Sequence, residues 1–253
     1  MRLAITRDLS PAIARCQLTH LARQPIDLGR ARAEHAAYEE CLLALGCQVQ
    51  RLPAGEEMPD SVFVEDCALV LDEVAVLTRP GAASRRAEVT AVEEALRPYR
   101  PTLRIGAPAT LDGGDVLRVG KTLFVGLSTR TTAPAVQELE RLVAPFGYSV
   151  AAAEVRGCLH LKSAATEVAR GILLVNPEWT GEWVRGFERV EVDPAEPYAA
   201  NALLVGETVI FPCAFPRTRD RLERRGIATR LVDVSELAKA EGAVTCCSLV
   251  FDA

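Results

Sequence analysis

The sequence predicts an α+β protein: a single domain, residues 1–253, built as a five-fold pseudo-symmetric α/β-propeller of ββαβ repeats. Three observations carry that reading. Asp66, Asp112, His160, Asn201 and Cys246 recur at intervals of 46, 48, 41 and 45 residues, the near-constant period that marks a repeat architecture. Each of the first four is followed by two short apolar runs, the pattern of paired strands. Behind Cys246 only one strand's length of chain remains. The fifth unit therefore needs its second strand and its helix from residues 3–45, and the ring closes by joining the two ends.

In order along the chain, residues 3–6 read as that strand, and residues 7–18 as a loop with turn residues and no clean period. Asp27 caps a helix on which Ala31, Tyr38, Leu42 and Leu45 share one face and which Gly46 stops; residues 48–52 are the next strand. Asp60, Glu65 and Asp66 then stand around an apolar triplet. Strands over 67–71 and 74–78 follow across Asp72-Glu73, then an amphipathic helix over 88–96 and a strand over 102–105. The second unit repeats this with strands 116–119 and 122–125, a helix over 133–143 and a strand over 148–151. His160 opens a third unit with strands 163–168 and 172–175, Asn201 a fourth with strands 203–205 and 208–211, and Cys246 a fifth with strand 248–251.

A chain of this length can bury a substantial core, and 49% hydrophobic with 25% charged residues is neither a disordered nor a fibrous composition. The net charge of -5 and pI near 5.4 speak against a general affinity for nucleic acid or anionic membrane and suit a small cationic ligand. The N-terminus reaches charge too early for a secretory signal, and no apolar run is long enough to span a bilayer. A cytoplasmic monomer or homodimer, with a small-molecule substrate as partner, is the expectation. Cys16, Cys41, Cys47, Cys67, Cys158, Cys213, Cys246 and Cys247 have neither disulfide-scaffold nor Cys-x-x-Cys spacing, which predicts free thiols and no structural zinc.

Taken alone, Cys246 and Cys247 read as small core residues, and a lone His or Asp is more often structural than catalytic. Their equivalence in the repeat reverses this. Five units around an axis bring a thiol, an imidazole and carboxylates to its centre, where propeller-like folds place ligands. Cys247 is expected to point away from Cys246 if both lie on a strand. His20 and His35 show no acidic partner in register and read as structural or surface residues. Arg86 reads as solvated, Asp115 as either a turn residue or a catalyst, and Lys162 and Asn201 as site-lining groups without an assigned role.

Six stretches spread over nearly the whole length carry a family resemblance: Pro59-Asp-Ser-Val-Phe-Val-Glu-Asp66, Leu77-Thr-Arg-Pro-Gly-Ala-Ala-Ser-Arg-Arg86, Leu111-Asp-Gly-Gly-Asp115, Phe124-Val-Gly-Leu-Ser-Thr-Arg-Thr131, Leu159-His-Leu-Lys-Ser163 and Thr245-Cys-Cys-Ser248. Together they resemble the dimethylarginine dimethylaminohydrolases of the guanidine-modifying, or pentein, superfamily, whose propeller of five ββαβ units agrees with the repeat count. The resemblance implies Cys246 as nucleophile, His160 as general acid and base, and Asp112 as the carboxylate orienting the imidazole. Many bacterial members carry Glu where this chain has Asp112; the shorter arm keeps the charge. It further implies Glu65 and Asp66 at a substrate guanidinium, Asp60 with the Leu18 and Ala240 carbonyls at its α-amine, and Arg85 and Arg130 at its α-carboxylate.

The implied chemistry is self-consistent. A delocalised guanidinium is a poor electrophile, so its hydrolysis calls for a thiolate and a proton donor for the departing amine. No metal or organic cofactor is required. Rival readings are an arginine or agmatine deiminase, which shares the thiol chemistry but releases ammonia, an amidinotransferase, and, from a different class, a non-catalytic amino-acid-binding propeller. A papain-like protease fits poorly, since its nucleophile opens a long helix near the mature N-terminus.

Overall fold

The computed structural model describes residues 1–253. The elements run β1 (Arg2–Arg7), α1 (Leu28–Ala44), β2 (Gln48–Leu52), β3 (Ala68–Val70), β4 (Ala75–Leu77), α2 (Val89–Leu96), β5 (Thr102–Arg104), β6 (Val116–Val119), β7 (Thr122–Gly126), α3 (Ala133–Val143) and β8 (Ser149–Ala153). They continue with α4 (Leu161–Ala164), β9 (Ala165–Ala169), β10 (Ile172–Val175), β11 (Glu188–Glu191), β12 (Leu203–Val205), β13 (Thr208–Pro212), α5 (Pro216–Arg224), β14 (Ala228–Val232), α6 (Ser235–Ala238) and β15 (Leu249–Asp252).

The strands form five three-stranded sheets. In each, the first strand pairs antiparallel to the middle one and the middle one parallel to the third, as in β3, β4 and β5. The parallel pair requires a crossover, and α2, α3 and α5 supply it in three blades. The fifth blade is assembled from both ends: β15 pairs antiparallel with β1, which pairs parallel with β2 across α1. Residues 3–45 therefore do supply the missing strand and helix.

Alternation along each middle strand explains why the ring holds together. In β1, Leu3 and Ile5 enter one hydrophobic cluster while Ala4 enters another. In β4, Ala75 and Leu77 face one way and Val76 the other, and in β13 Val209 and Phe211 are divided in the same way from Ile210. Five clusters result, one at each junction between successive blades. Every sheet is thus buried on both faces. Each large apolar side chain so buried contributes about 1.5–3 kcal/mol.

Three expectations are corrected. The third blade has no crossover helix: a 3₁₀ turn at Glu182–Gly186 stands in its place, because Pro177, Gly181 and Gly186 break the helical run and Trp183 stacks instead on Phe124 with centroids 5.0 Å apart. The strand after the thiol pair begins at Leu249, and Cys246 and Cys247 lie in the turn before it. His35 does have an acidic partner, Glu39 one turn along α1, with Nδ1 3.8 Å from Oε1.

Helix α1 begins where its cap predicts, with the Asp27 side chain accepting from Arg30 N. Its Tyr38 is wholly buried and donates to Val244 O at 2.9 Å, while Glu34 accepts from Glu236 N at 2.9 Å. These contacts fasten the segment carrying Ala240 and Cys246 to the helix. All eight cysteines are free. No helix is long and apolar enough to cross a membrane.

Candidate active site

The repeated polar residues occupy one kind of place, the turn that leads into the innermost strand of a blade. Asp66 lies in the 3₁₀ turn before β3, Asp112 directly ahead of the turn before β6, and His160 at the head of α4 before β9. Asn201 precedes β12 and Cys246 precedes β15. Five turns therefore meet at one end of the axis.

Seven of the expected residues, Cys246, His160, Asp60, Asp66, Arg85, Arg130 and Ala240, line one narrow cavity. Asp112 is wholly buried behind it. Its Oδ2 lies 3.1 Å from His160 Nε2, and its Oδ1 accepts from Gly81 N at 2.8 Å. On the other side of the ring, His160 Nδ1 stands 3.9 Å from Asp66 Oδ1. Asp66 is itself held by Gly114 N at 3.0 Å and by the Arg85 guanidinium. This packing explains the paired glycines of the second unit. A Cβ on Gly114 would stand 2.6 Å from His160 Nδ1, and one on Gly113 only 2.0 Å from Glu65 O.

Glu65 and Leu18 do not line this cavity. Glu65 forms a floor under the thiol: its backbone N–H donates to Cys246 O at 3.2 Å, and its carboxylate accepts from Lys162 Nζ and Thr245 Oγ1, each at 2.7 Å. Beyond that floor a second cavity opens, lined by residues of the inner strands together with Glu65 and Lys162. Each Glu65 oxygen keeps a further lone pair for a cation above it. Asn201 bonds Thr245 Oγ1, Thr245 N and the Lys162 carbonyl, so the two site-lining groups left without a role brace the floor. Asp115 is structural, accepting from Leu161 N and Ser128 Oγ.

Arg85 is buried, with Nε and Nη2 directed to Glu88 and to the Asp60 and Phe63 carbonyls. With Nη1 donating to Asp66, one N–H is left to face a ligand. Arg130 is less engaged, its Nη2 reaching only Thr19 Oγ1 at 3.3 Å and its Nη1 lying 3.7 Å from Asp112 Oδ2. Sequence reasoning missed Glu88, Thr245 and Glu241. Glu88 had a signal, an opposite charge three residues from Arg85 near a helix start; Thr245 had none.

Burial, reinforced by the Glu65 and Asp66 carboxylates, pushes the Cys246 thiol up to about 12. Burial works against a charged His160 ring, yet Asp66, Asp112 and Asp115 outweigh it and lift the imidazole to about 9. Asp66 is buried too, but His160 and Arg85 hold its carboxyl down at about 2. At neutral pH Cys246 rests as the thiol, His160 as the imidazolium and Asp66 as the carboxylate. Ligand atoms of Asp66, Asp112 and His160 lie within 4.8 Å of one another, a spacing at which a proton and a metal ion compete for the same atoms.

No family model matches the chain. It is 40% identical to the N(G),N(G)-dimethylarginine dimethylaminohydrolase of Streptomyces coelicolor, over 97% of this chain and 95% of that one, and 36% identical to the Pseudomonas aeruginosa enzyme of the same name, over 92% of each. The chain belongs to the dimethylarginine dimethylaminohydrolase family. Its fold superposes on that of the P. aeruginosa enzyme, a cysteine-to-serine mutant complexed with citrulline, with a TM-score of 0.92 and 34% identity over 98% of each chain. A dimethylarginine dimethylaminohydrolase adduct with S-methyl-L-thiocitrulline gives 0.92 as well, over 99% of this chain and all of that one. A cyanobacterial arginine dihydrolase domain shares the fold, with a TM-score of 0.87 at 18% identity.

Proposed function

We propose that this chain hydrolyses asymmetric dimethylarginine, and monomethylarginine, to citrulline and the alkylamine through a covalent adduct on Cys246. The observation that carries the reading is a thiol and an Asp112-buttressed imidazolium facing one cavity, with Asp66 at one part of its wall and Arg130 at another. Acids of one sign suit a guanidinium, and a guanidinium fork suits a carboxylate.

The guanidinium lies against Asp66, above the Glu65 floor, and the α-carboxylate meets Arg130 and the free Arg85 N–H. Asp60, with the Leu18 and Ala240 carbonyls, receives the α-ammonium. A cation beside Cys246 offsets the two carboxylates that keep the thiol protonated, so binding itself favours the thiolate. Sulfur then attacks the guanidinium carbon. Collapse of the tetrahedral adduct expels dimethylamine, which takes its proton from His160 Nδ1, the ring nitrogen that Asp112 does not hold. The neutral imidazole next removes a proton from water, the hydroxide adds to the thiouronium, and the C–S bond breaks to give citrulline and the thiol.

Product analysis tests the assignment. Incubation with asymmetric dimethylarginine is expected to yield citrulline and dimethylamine, and Cys246→Ser to abolish turnover while retaining citrulline binding. Release of ammonia from arginine in preference to methylamines from the methylated substrates would make the chain a deiminase instead.

A further inference from the structure

We infer that Glu241 is a positioning residue: its carboxylate clamps the 17–21 segment over the amine end of the cavity and sets the Leu18 carbonyl for the substrate. This rests on the substrate reading above and extends it to a residue outside the reacting groups.

Two independent features point to it. The first is conformational. Helix α6 ends with Gly242 N donating to Leu237 O and Glu241 N to Ala238 O, both at 3.1 Å, the paired bonds of a Schellman ending whose left-handed residue is usually glycine. Here that residue is Glu241, with φ 59°, and no other non-glycine residue has positive φ. The available glycine sits one position later, where a Cβ would lie 2.1 Å from the Phe63 ring. A side chain is therefore kept where the backbone disfavours one, and such strain points to a role for that side chain.

The second feature is what the side chain does. Its carboxylate accepts from three successive backbone N–H groups, Thr19 at 3.0 Å, His20 at 2.5 Å and Leu21 at 2.6 Å. On the other side of Leu18, Asp60 accepts from Gln17 N at 3.0 Å. Two carboxylates thus bracket Leu18, whose carbonyl takes no hydrogen bond within the chain. Glu241 also follows directly on Ala240, the other carbonyl expected at the ammonium, so one residue ties both acceptors together.

The test uses Glu241→Gly and Glu241→Gln in the full chain. Glycine relieves the backbone, so the thermal midpoint of Glu241→Gly should be unchanged or higher. Trypsin cleavage after the exposed Arg23 in the substrate-free protein should accelerate about tenfold or more, because proteolysis follows the open population. KM for asymmetric dimethylarginine should rise about tenfold with kcat within about threefold, and Glu241→Gln, keeping one acceptor oxygen, should fall between. A lowered midpoint with cleavage and KM unchanged would overturn the clamp and leave a plain helix cap. Accelerated cleavage in a protein that turns over no methylated arginine would support the clamp and sink the substrate reading.

Discussion

Cys246 and His160 hold their resting protons by opposite means. Burial disfavours the thiolate and the Glu65 and Asp66 carboxylates add to that, whereas Asp66, Asp112 and Asp115 overcome the burial of the ring. Alkylation of Cys246 by iodoacetamide, followed on its own peptide, should keep accelerating past pH 9 toward 12; a plateau near the ordinary thiol value of about 8.5 would contradict the placement of Glu65 and Asp66. The imidazolium also links pH to stability. Its folded pKa lies above the ordinary 6.5, so its contribution is fully present below about 6.5 and is lost as pH rises through about 9. Up to about 3 kcal/mol is at stake, read as a fall in urea midpoint that His160→Gln lacks. Asp112→Asn keeps the shape but removes the charge behind the ring, and kcat should drop about 10²–10⁴-fold with citrulline affinity little changed.

At the scale of elements, the site is a set of turns, and what the sequence disclosed of it follows from that. A polar residue just ahead of an apolar strand is visible in a string of letters, which is how Asp66, Asp112, His160, Asn201 and Cys246 were found. What braces those turns is not visible. Glu65 meets Lys162 across 97 residues of chain and Thr245 across 180, and no local pattern records such pairings. The Cys246 turn, expected just ahead of the terminal strand, is held in place by Tyr38, whose hydroxyl bonds Val244 O and Ser248 Oγ at 2.9 and 2.6 Å. Tyr38→Phe leaves the ring packed but the Val244 carbonyl unpaired, a loss of about 1–3 kcal/mol. A lower urea midpoint should accompany it, and an unchanged midpoint would show that the turn stands without that hydroxyl.

For the whole molecule, the ring was legible because the spacing of its turns is nearly constant and because a blade with one strand missing at one end matched a strand and helix at the other. The third blade departs from the ββαβ pattern because aromatic stacking of Trp183 and Phe187 on Phe124 fills the place of a helix, and no helical period marks that segment. Met1 N lies 3.4 Å from Ala253 O, so the ends can be joined. A circular permutant with Ala253 linked to Met1 and the chain opened at the exposed Arg170-Gly171 turn should fold and keep near-normal turnover. Deleting residues 249–253 removes β15, exposes the edge of β1 and should abolish folding; a stable, active truncate would show that the ring need not be closed.

The distant turns are held to act together on a planar cation through one sulfur, and acid-quenched mass spectrometry during turnover of asymmetric dimethylarginine asks this directly. The peptide containing Cys246 should carry a thiouronium adduct that is absent in Cys246→Ser and that disappears as citrulline accumulates. Citrulline formed at full rate by Cys246→Ser, or an adduct found on Cys247 instead, would contradict the account.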